Sequence, residues 1–228
     1  MKTVLKKLKN DEILEFCSHL SQPPALKNKI QLYFNQSHSS PFPHLLGFEG
    51  LSNFEVYAEK VTLSSDDQSY LLRILKDNLK GEFEAHLLHQ QKEKYQYVFI
   101  CFDNQPQNYL TDSHGRAQLG QIALDLSRIK ASLCPPSAIF ELSKISTLVS
   151  PGWSNDRLAS SKIQAEFFPG EKGQILKIRV ANLPEEAEIR RMVLIIDEVE
   201  TLVAIPQKGL AIFELPDNFG DLQINLYE

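Results

Sequence analysis

The chain lacks any run of roughly 18 consecutive apolar residues, the length a membrane-crossing helix requires. It has only 3 cysteines, 1 tryptophan and 2 methionines among its 228 residues. Cys17, Cys101 and Cys134 are odd in number, widely spaced and set among apolar neighbours. They fit reduced, buried thiols better than a disulfide framework. An excess of basic charge is also absent: 24 Lys and Arg stand against 29 Asp and Glu, a formal net charge of −5. General binding to a phosphate backbone, which accumulates from Lys and Arg, is therefore not expected. At the N-terminus Lys2, Lys6, Lys7 and Lys9 precede Asp11 and Glu12, which interrupt the chain before a signal-peptide core has formed. The expected location is the cytoplasm, with no membrane contact.

What is present is ample apolar material: 43% hydrophobic residues including 13 Phe, enough to pack a sizeable core. Ile13, Leu14, Phe16, Cys17 and Leu20 fall at helical spacing, with Asn10 or Asp11 as cap and Pro23-Pro24 as stop. Leu26, Ile30, Tyr33 and Phe34 repeat that spacing, so residues 1–50 are expected to form a short helical N-terminal segment. Ser37 to Pro43 reads as a loop. From Asn53 the period shifts towards 2: Phe54, Val56, Ala58, Val61 and Leu63 suit a strand with a bulge near Glu59. Ser69 to Asp77 fits both periods.

The second half says nearly the same thing twice. Tyr97 to Asp103 leads through a polar stretch to Gly115 and Ala117, while Met192 to Asp197 leads to Gly209 and Ala211. The pairs Asp103/Asp197, Gly115/Gly209 and Ala117/Ala211 share one offset. The segment from Lys162 to Val180 reads as a hairpin around Pro169-Gly170. Its counterpart is Tyr70 to Leu88, which favours strands there. Short strands at this spacing without intervening helices predict a mainly β fold with two related sandwich-like units. The expected limits are 51–149 and 160–228, with 150–159 as linker. The pentamer Ala138 to Leu142 recurs as Ala211 to Leu215 at another offset, and is read as coincidence.

The run Leu110-Thr111-Asp112-Ser113-His114-Gly115-Arg116-Ala117, and more weakly Gly209-Leu210-Ala211-Ile212-Phe213, resembles the carboxypeptidase-regulatory-like and transthyretin-like β-sandwich domains. With helical N-terminal segments, such domains also look like small bacterial regulatory proteins that accompany sigma factors or CHAT-type proteases. The resemblance implies an adaptor or anti-sigma-like role.

Residues that carry chemistry are sparse. There is no phosphate-binding Gly-x-x-x-x-Gly-Lys-Ser/Thr loop, and Gly152-Trp153-Ser154 lacks the second Gly of a nucleophile elbow. His86 and His89 lie three apart on an expected strand and point to opposite faces. Cys17, His19, His38 and His44 lack the spacing of a metal clip. The sequence therefore implies a noncatalytic, cofactor-free module that binds another protein. Trp153 is the candidate anchor, and Glu198, Glu200, Glu214, Asp217 and Asp221 are the candidate acidic face. The alternatives are a hydrolase built on Asp103, Asp112 and His114, or a ligand groove lined by Tyr97, Tyr109 and Trp153.

Overall fold

A computed structural model describes residues 24–34, 57–103, 105–122, 125–126, 128–142, 149–170 and 173–228. Over these residues the chain is mainly β. The helix expected around Asn10 to Leu20, the loop from Ser37 to Pro43 and the residues Cys17, His19, His38 and His44 lie outside them. The helix expected over Ala25 to Phe34 is instead extended backbone leading into strand β1, Ile30–Phe34. Ile30 and Leu32 alternate with exposed residues at period 2, and pairing with a strand a hundred residues later overrides the weak helical spacing.

Seven further strands follow in the first sheet: β2 (Tyr57–Ser64), β3 (Leu71–Asp77), β4 (Phe83–Leu88), β5 (Phe99–Phe102), β6 (Asn108–Leu110), β7 (Arg116–Gly120) and β8 (Ala131–Cys134). Their order is β6-β5-β8-β1-β2-β3-β4-β7. The sheet folds over at β1 and β2, because Leu63, Leu72, Ile74 and Leu87 from one half share a core with Ile100, Phe102 and Leu133 from the other. The register of β2 on β3 slips between Glu59 and Val61, as the sequence pattern anticipates. Local side chains set the hairpins. Asp67 accepts hydrogen bonds from the Ser65 hydroxyl and from the Ser69 amide and hydroxyl, which together hold its carboxyl down at about 2. Asp77 accepts from the amides of Leu79 and Lys80 before Gly81 turns the chain at φ 74°.

The remaining strands are β9 (Ala138–Leu142), β10 (Val149–Ser154), β11 (Lys162–Pro169), β12 (Gln174–Ala181), β13 (Arg191–Ile196), β14 (Glu200–Ala204), β15 (Leu210–Leu215) and β16 (Leu222–Tyr227). They form a five-stranded sheet, β10-β9-β16-β13-β14, and a three-stranded sheet, β11-β12-β15. Phe140, Leu194 and Ile224 from the first meet Leu176, Ile178 and Phe213 from the second in one core. The segment read from sequence as a linker thus supplies strand β10, followed by a single 3-10 turn at Asp156–Leu158.

The two sandwiches share a neighbour pattern. In the first, β3-β4-β7 faces β6-β5-β8; in the second, β11-β12-β15 faces β14-β13-β16. The paired residues found in the sequence fall at matching points. The Gly115 carbonyl accepts from Leu87 of β4, and the Gly209 carbonyl from Val180 of β12. The Asp103 amide donates to Lys130, just before β8, and the Asp197 amide to Asp221, just before β16. By contrast, Ala138–Leu142 and Ala211–Leu215 lie in different sheets.

A third apolar cluster joins the sandwiches. Tyr97, Phe99, Cys101 and Cys134 of the first meet Val193, Ile195 and Tyr227 of the second, with Leu26 from the leading segment. The Tyr227 hydroxyl donates to the Tyr97 carbonyl at 2.5 Å, and its ring meets Phe99 edge-on at 4.8 Å. Residues Pro24 to Lys29 strap the seam. Arg191 donates to the Pro24 carbonyl at 3.1 Å, Arg190 to that of Ala25, and the Lys27 amide to that of Glu228 at 2.7 Å. The Glu228 carboxylate is itself buried and accepts from Asn28 and Asn155.

Two glycines separate steric from conformational demands. Both Gly81 and Gly115 have φ near 75°, but a Cβ on Gly115 would meet the Leu87 carbonyl oxygen at 2.5 Å, whereas one on Gly81 meets nothing within 4 Å. Gly81→Ala is predicted to cost about 1 kcal/mol, the left-handed backbone penalty alone. Gly115→Ala should cost at least twice that, because β4 and β7 must also separate. Denaturant midpoints of the two variants check the ordering.

Candidate interaction surface

The free edges of the sheets differ in how they are protected against pairing with another chain. Strand β6 has only three residues, and β7 exposes Arg116 and Gln118 beside a register shift. Strand β10 is bent by a bulge between Pro151 and Trp153, and β11 runs from Lys162 to Pro169. These are the usual devices for blunting an edge. Strands β14 and β15 have none of them: β15, Leu-Ala-Ile-Phe-Glu-Leu, pairs only with β12 and leaves Ile212 60% exposed, and β14, Glu-Thr-Leu-Val-Ala, carries no Lys, Pro or bulge and pairs only with β13. Leu202 and Ala204 turn inward to the core of the second sandwich. Val203 is left 50% exposed, with Val199 before the strand at 87% and Ile205 after it at 46%. Three large apolar side chains on an open edge form a row that water covers poorly.

Beside this edge lies a groove of about 290 Å³ between the sandwiches. Glu198, Val199 and Thr201 form one wall, Leu110 to His114 the other, and Tyr97 the floor. The far wall is rigid. The Asp112 carboxylate accepts from the amides of His114 and Arg116, and the Thr111 hydroxyl accepts from the Val98 amide while donating to the Tyr95 carbonyl. Tyr97 closes the floor by donating from its hydroxyl to the Glu198 carbonyl at 3.2 Å, and burial raises the pKa of its phenol.

The near wall is set by an unusual turn. Asp197 and Glu198 both have positive φ, 51° and 59°, which side chains other than glycine rarely adopt. The Asp197 carboxylate compensates by accepting from the amides of Gly220 and Asp221 at 2.9–3.0 Å. This clasp places Glu198 and Asp221 on a second pocket, of about 330 Å³, with Glu141. The end of the second sandwich is therefore strongly negative.

The residues proposed from sequence are only partly gathered. Glu198 and Asp221 line one pocket, and Glu200 opens β14 nearby. Glu214 sits on β15, in the three-stranded sheet, with Asp217 in the connection that follows. Trp153 is placed by its backbone, opposite Ile139 on β10, at the other edge of the same sheet from β14. Asp112 and His114 share the groove, but Asp103 does not. It follows Phe102, whereas Asp112 pairs beside Tyr97, so the length of β5 lies between them, at least about 10 Å at the rise of a strand. A triad of Asp103, Asp112 and His114 is not assembled. Tyr97 and Tyr109 are both buried and belong to different clusters, so the two tyrosines do not line one groove. His86 bonds Glu84 at 3.0 Å, while His89 packs on Tyr70. Sequence reasoning missed the β14 edge itself. Its signal was the run Val199, Val203, Ile205 with no basic residue among them.

No family model, curated protein or solved structure matches the chain.

Asp197→Ala removes the acceptor for the Gly220 and Asp221 amides without touching the apolar core. The predicted loss is about 1–2 kcal/mol of stability. Its amide-exchange signature is expected to be confined to the β13–β14 turn and the start of β16, as hydrogen exchange would show.

Proposed function

We propose that this chain is a noncatalytic interaction scaffold of a regulatory assembly, and that its β14 edge receives an extended, basic segment of a partner protein. The carrying observation is the open apolar edge of β14 with acidic groups on both sides of it, a combination the other open edge, β15, does not share with a groove beside it. An added strand gains main-chain hydrogen bonds from the edge and specificity from alternate side chains. Here Val199, Val203 and Ile205 offer apolar contact, while Glu198, Glu200, Glu141 and Asp221 attract Lys or Arg on the incoming segment. The groove beside Thr201 gives space for one large side chain from that segment.

The two sandwiches are, in this reading, copies of one ancestral unit. The shared neighbour order, the matching Gly115 and Gly209 contacts and the 94-residue sequence offset support a duplication. What the copies share is turn and core chemistry. Only the second copy carries the acidic end and the open apolar edge, which gives it the recognition role while the first supplies the opposite wall. Such a division fits the adaptor role implied by the resemblance to regulatory β-sandwich domains.

The test uses synthetic extended peptides alternating Val with Lys, or Val with Glu, titrated against the full chain. The Lys peptide should bind with an affinity that falls as salt rises, and the Glu peptide should not bind. Val203→Lys should weaken the Lys peptide by at least about tenfold, a difference near 1.4 kcal/mol, with an unchanged melting temperature. Equal binding of both peptides, or no effect of Val203→Lys, would refute the assignment.

A further inference from the structure

Two thiols lie side by side in the seam between the sandwiches. Cys101 of β5 stands opposite Ser132 of β8, and Cys134 stands opposite Phe99, so the cysteines are diagonal neighbours on adjacent strands. Alternation puts Phe99, Cys101, Ser132 and Cys134 on one face, the face turned to the second sandwich. The two sulfurs are 3.7 Å apart and both cysteines are free. A disulfide bond is about 2.05 Å long, so the sulfurs need to approach by less than about 2 Å, with side-chain rotation and a small drawing together of the two strands.

Three features distinguish this pair from inert core thiols. First, Cys101 borders an open pocket of about 260 Å³, lined also by Ala25, Leu26, Lys29, Asp103 and Asn108, which brings solvent up to this residue. Second, positive charge is close: Lys29 stands in that pocket and Arg191 in the seam, both favouring a thiolate at Cys101. Third, the Ser132 hydroxyl, 1% exposed and on the strand position facing Cys101, has no hydrogen-bond partner among the described residues. A buried orphan donor is costly, and a thiolate or sulfenate at Cys101 would accept from it.

We infer that Cys101 and Cys134 are a reversible dithiol switch, oxidised to a disulfide by a hydroperoxide entering from the pocket beside Lys29. The Cys101 thiolate attacks one peroxide oxygen, forming an S–O bond as the O–O bond breaks. The departing alkoxide or hydroxide takes up the proton that Cys101 released, leaving a sulfenic acid and an alcohol or water. The Cys134 sulfur then attacks the sulfenic sulfur, forming the S–S bond as the S–O bond breaks, and hydroxide leaves with the Cys134 proton as water. Two thiols lose two electrons and two protons, and the hydroperoxide is reduced by the same pair. The order of attack follows the electrostatics. The contact with the Cys134 sulfur, aided by Lys29 and Arg191 and opposed by burial and Asp103, holds Cys101 below its ordinary pKa, whereas the same contact, together with burial, pushes Cys134 up.

The experiment uses the full chain with Cys17→Ser, so that only the pair remains. The reduced protein is exposed to one equivalent of hydrogen peroxide, and thiols are then counted in denaturant beside the intact mass. Both thiols should disappear together, with a mass loss of two hydrogens and a peptide map joining Cys101 to Cys134. Dithiothreitol should restore both. Adding Cys134→Ser should leave Cys101 as a sulfenic acid trapped by dimedone. Adding Cys101→Ser should slow oxidation of Cys134 by at least about tenfold. Circular dichroism and elution volume establish that each variant is folded, and the result for the intact pair stands if a second substitution disrupts folding. Two titratable thiols after oxidation, a cross-link between chains, or equal reactivity of the two cysteines would overturn the inference.

Discussion

Burial of four strands on both faces is the constraint from which the rest of the molecule follows. Strands β5 and β8 in the first sandwich, and β13 and β16 in the second, each turn one set of side chains into their own core and the other into the seam. Ile100 and Phe102 serve the first core while Phe99 and Cys101 serve the junction. In the second sandwich, Leu194 and Ile196 face inward while Val193 and Ile195 face the partner unit. Burying an aliphatic or aromatic side chain stabilises by about 1.5–3 kcal/mol, so Phe99, Val193, Ile195 and Tyr227 together are of the size needed to offset the ordering of the short strap that closes over them. Several polar groups of the seam find partners across it. Tyr227 donates to Tyr97, Arg191 to Pro24, and Glu228 gathers Asn28 and Asn155.

This architecture explains what sequence pattern reveals and what it hides. Surface sheets announce themselves by alternation: Lys162 to Phe168 and Gln174 to Val180 form the hairpin their pattern and turn residues specify, and the bulge after Glu59 falls where the period slips. Strands buried on both faces lose alternation and read only as apolar runs, as Tyr97 to Phe102 and Met192 to Ile196 do. Their role as a junction is invisible without knowing what covers the second face. The misreading of Ala25 to Phe34 as a helix has the same origin, since β1 is held by β8 and β2 rather than by local preference. Likewise the stretch around Pro151 and Gly152 has linker composition, yet pairing with β9 makes it a bulged edge strand.

Site features were legible to the extent that they were local. The Asp112 turn and Gly115 followed from turn chemistry, and residues 94 apart in the sequence fall next to strands with similar neighbours. Which charges converge did not follow, because convergence depends on the sheets. Glu198 meets Asp221 only because β13 and β16 are neighbours, while β5 separates Asp103 from Asp112. The β14 edge became recognisable only by comparison with β6, β7, β10 and β11, which are blunted by charge, proline, shortness or a bulge. The seam also brings the edge and the opposing turn together, so the proposed recognition groove exists only while the sandwiches stay docked.

The most direct measurement is native-state hydrogen exchange of the β5 and β13 amides in the wild type and in Val193→Asp. If the seam makes the sandwiches one cooperative body, Phe99 to Phe102 and Met192 to Ile196 should exchange with the same opening free energy. The buried charge should then lower protection in both strands together. Loss of protection in β13 with β5 unchanged would show two sandwiches that fold independently, and would contradict the account.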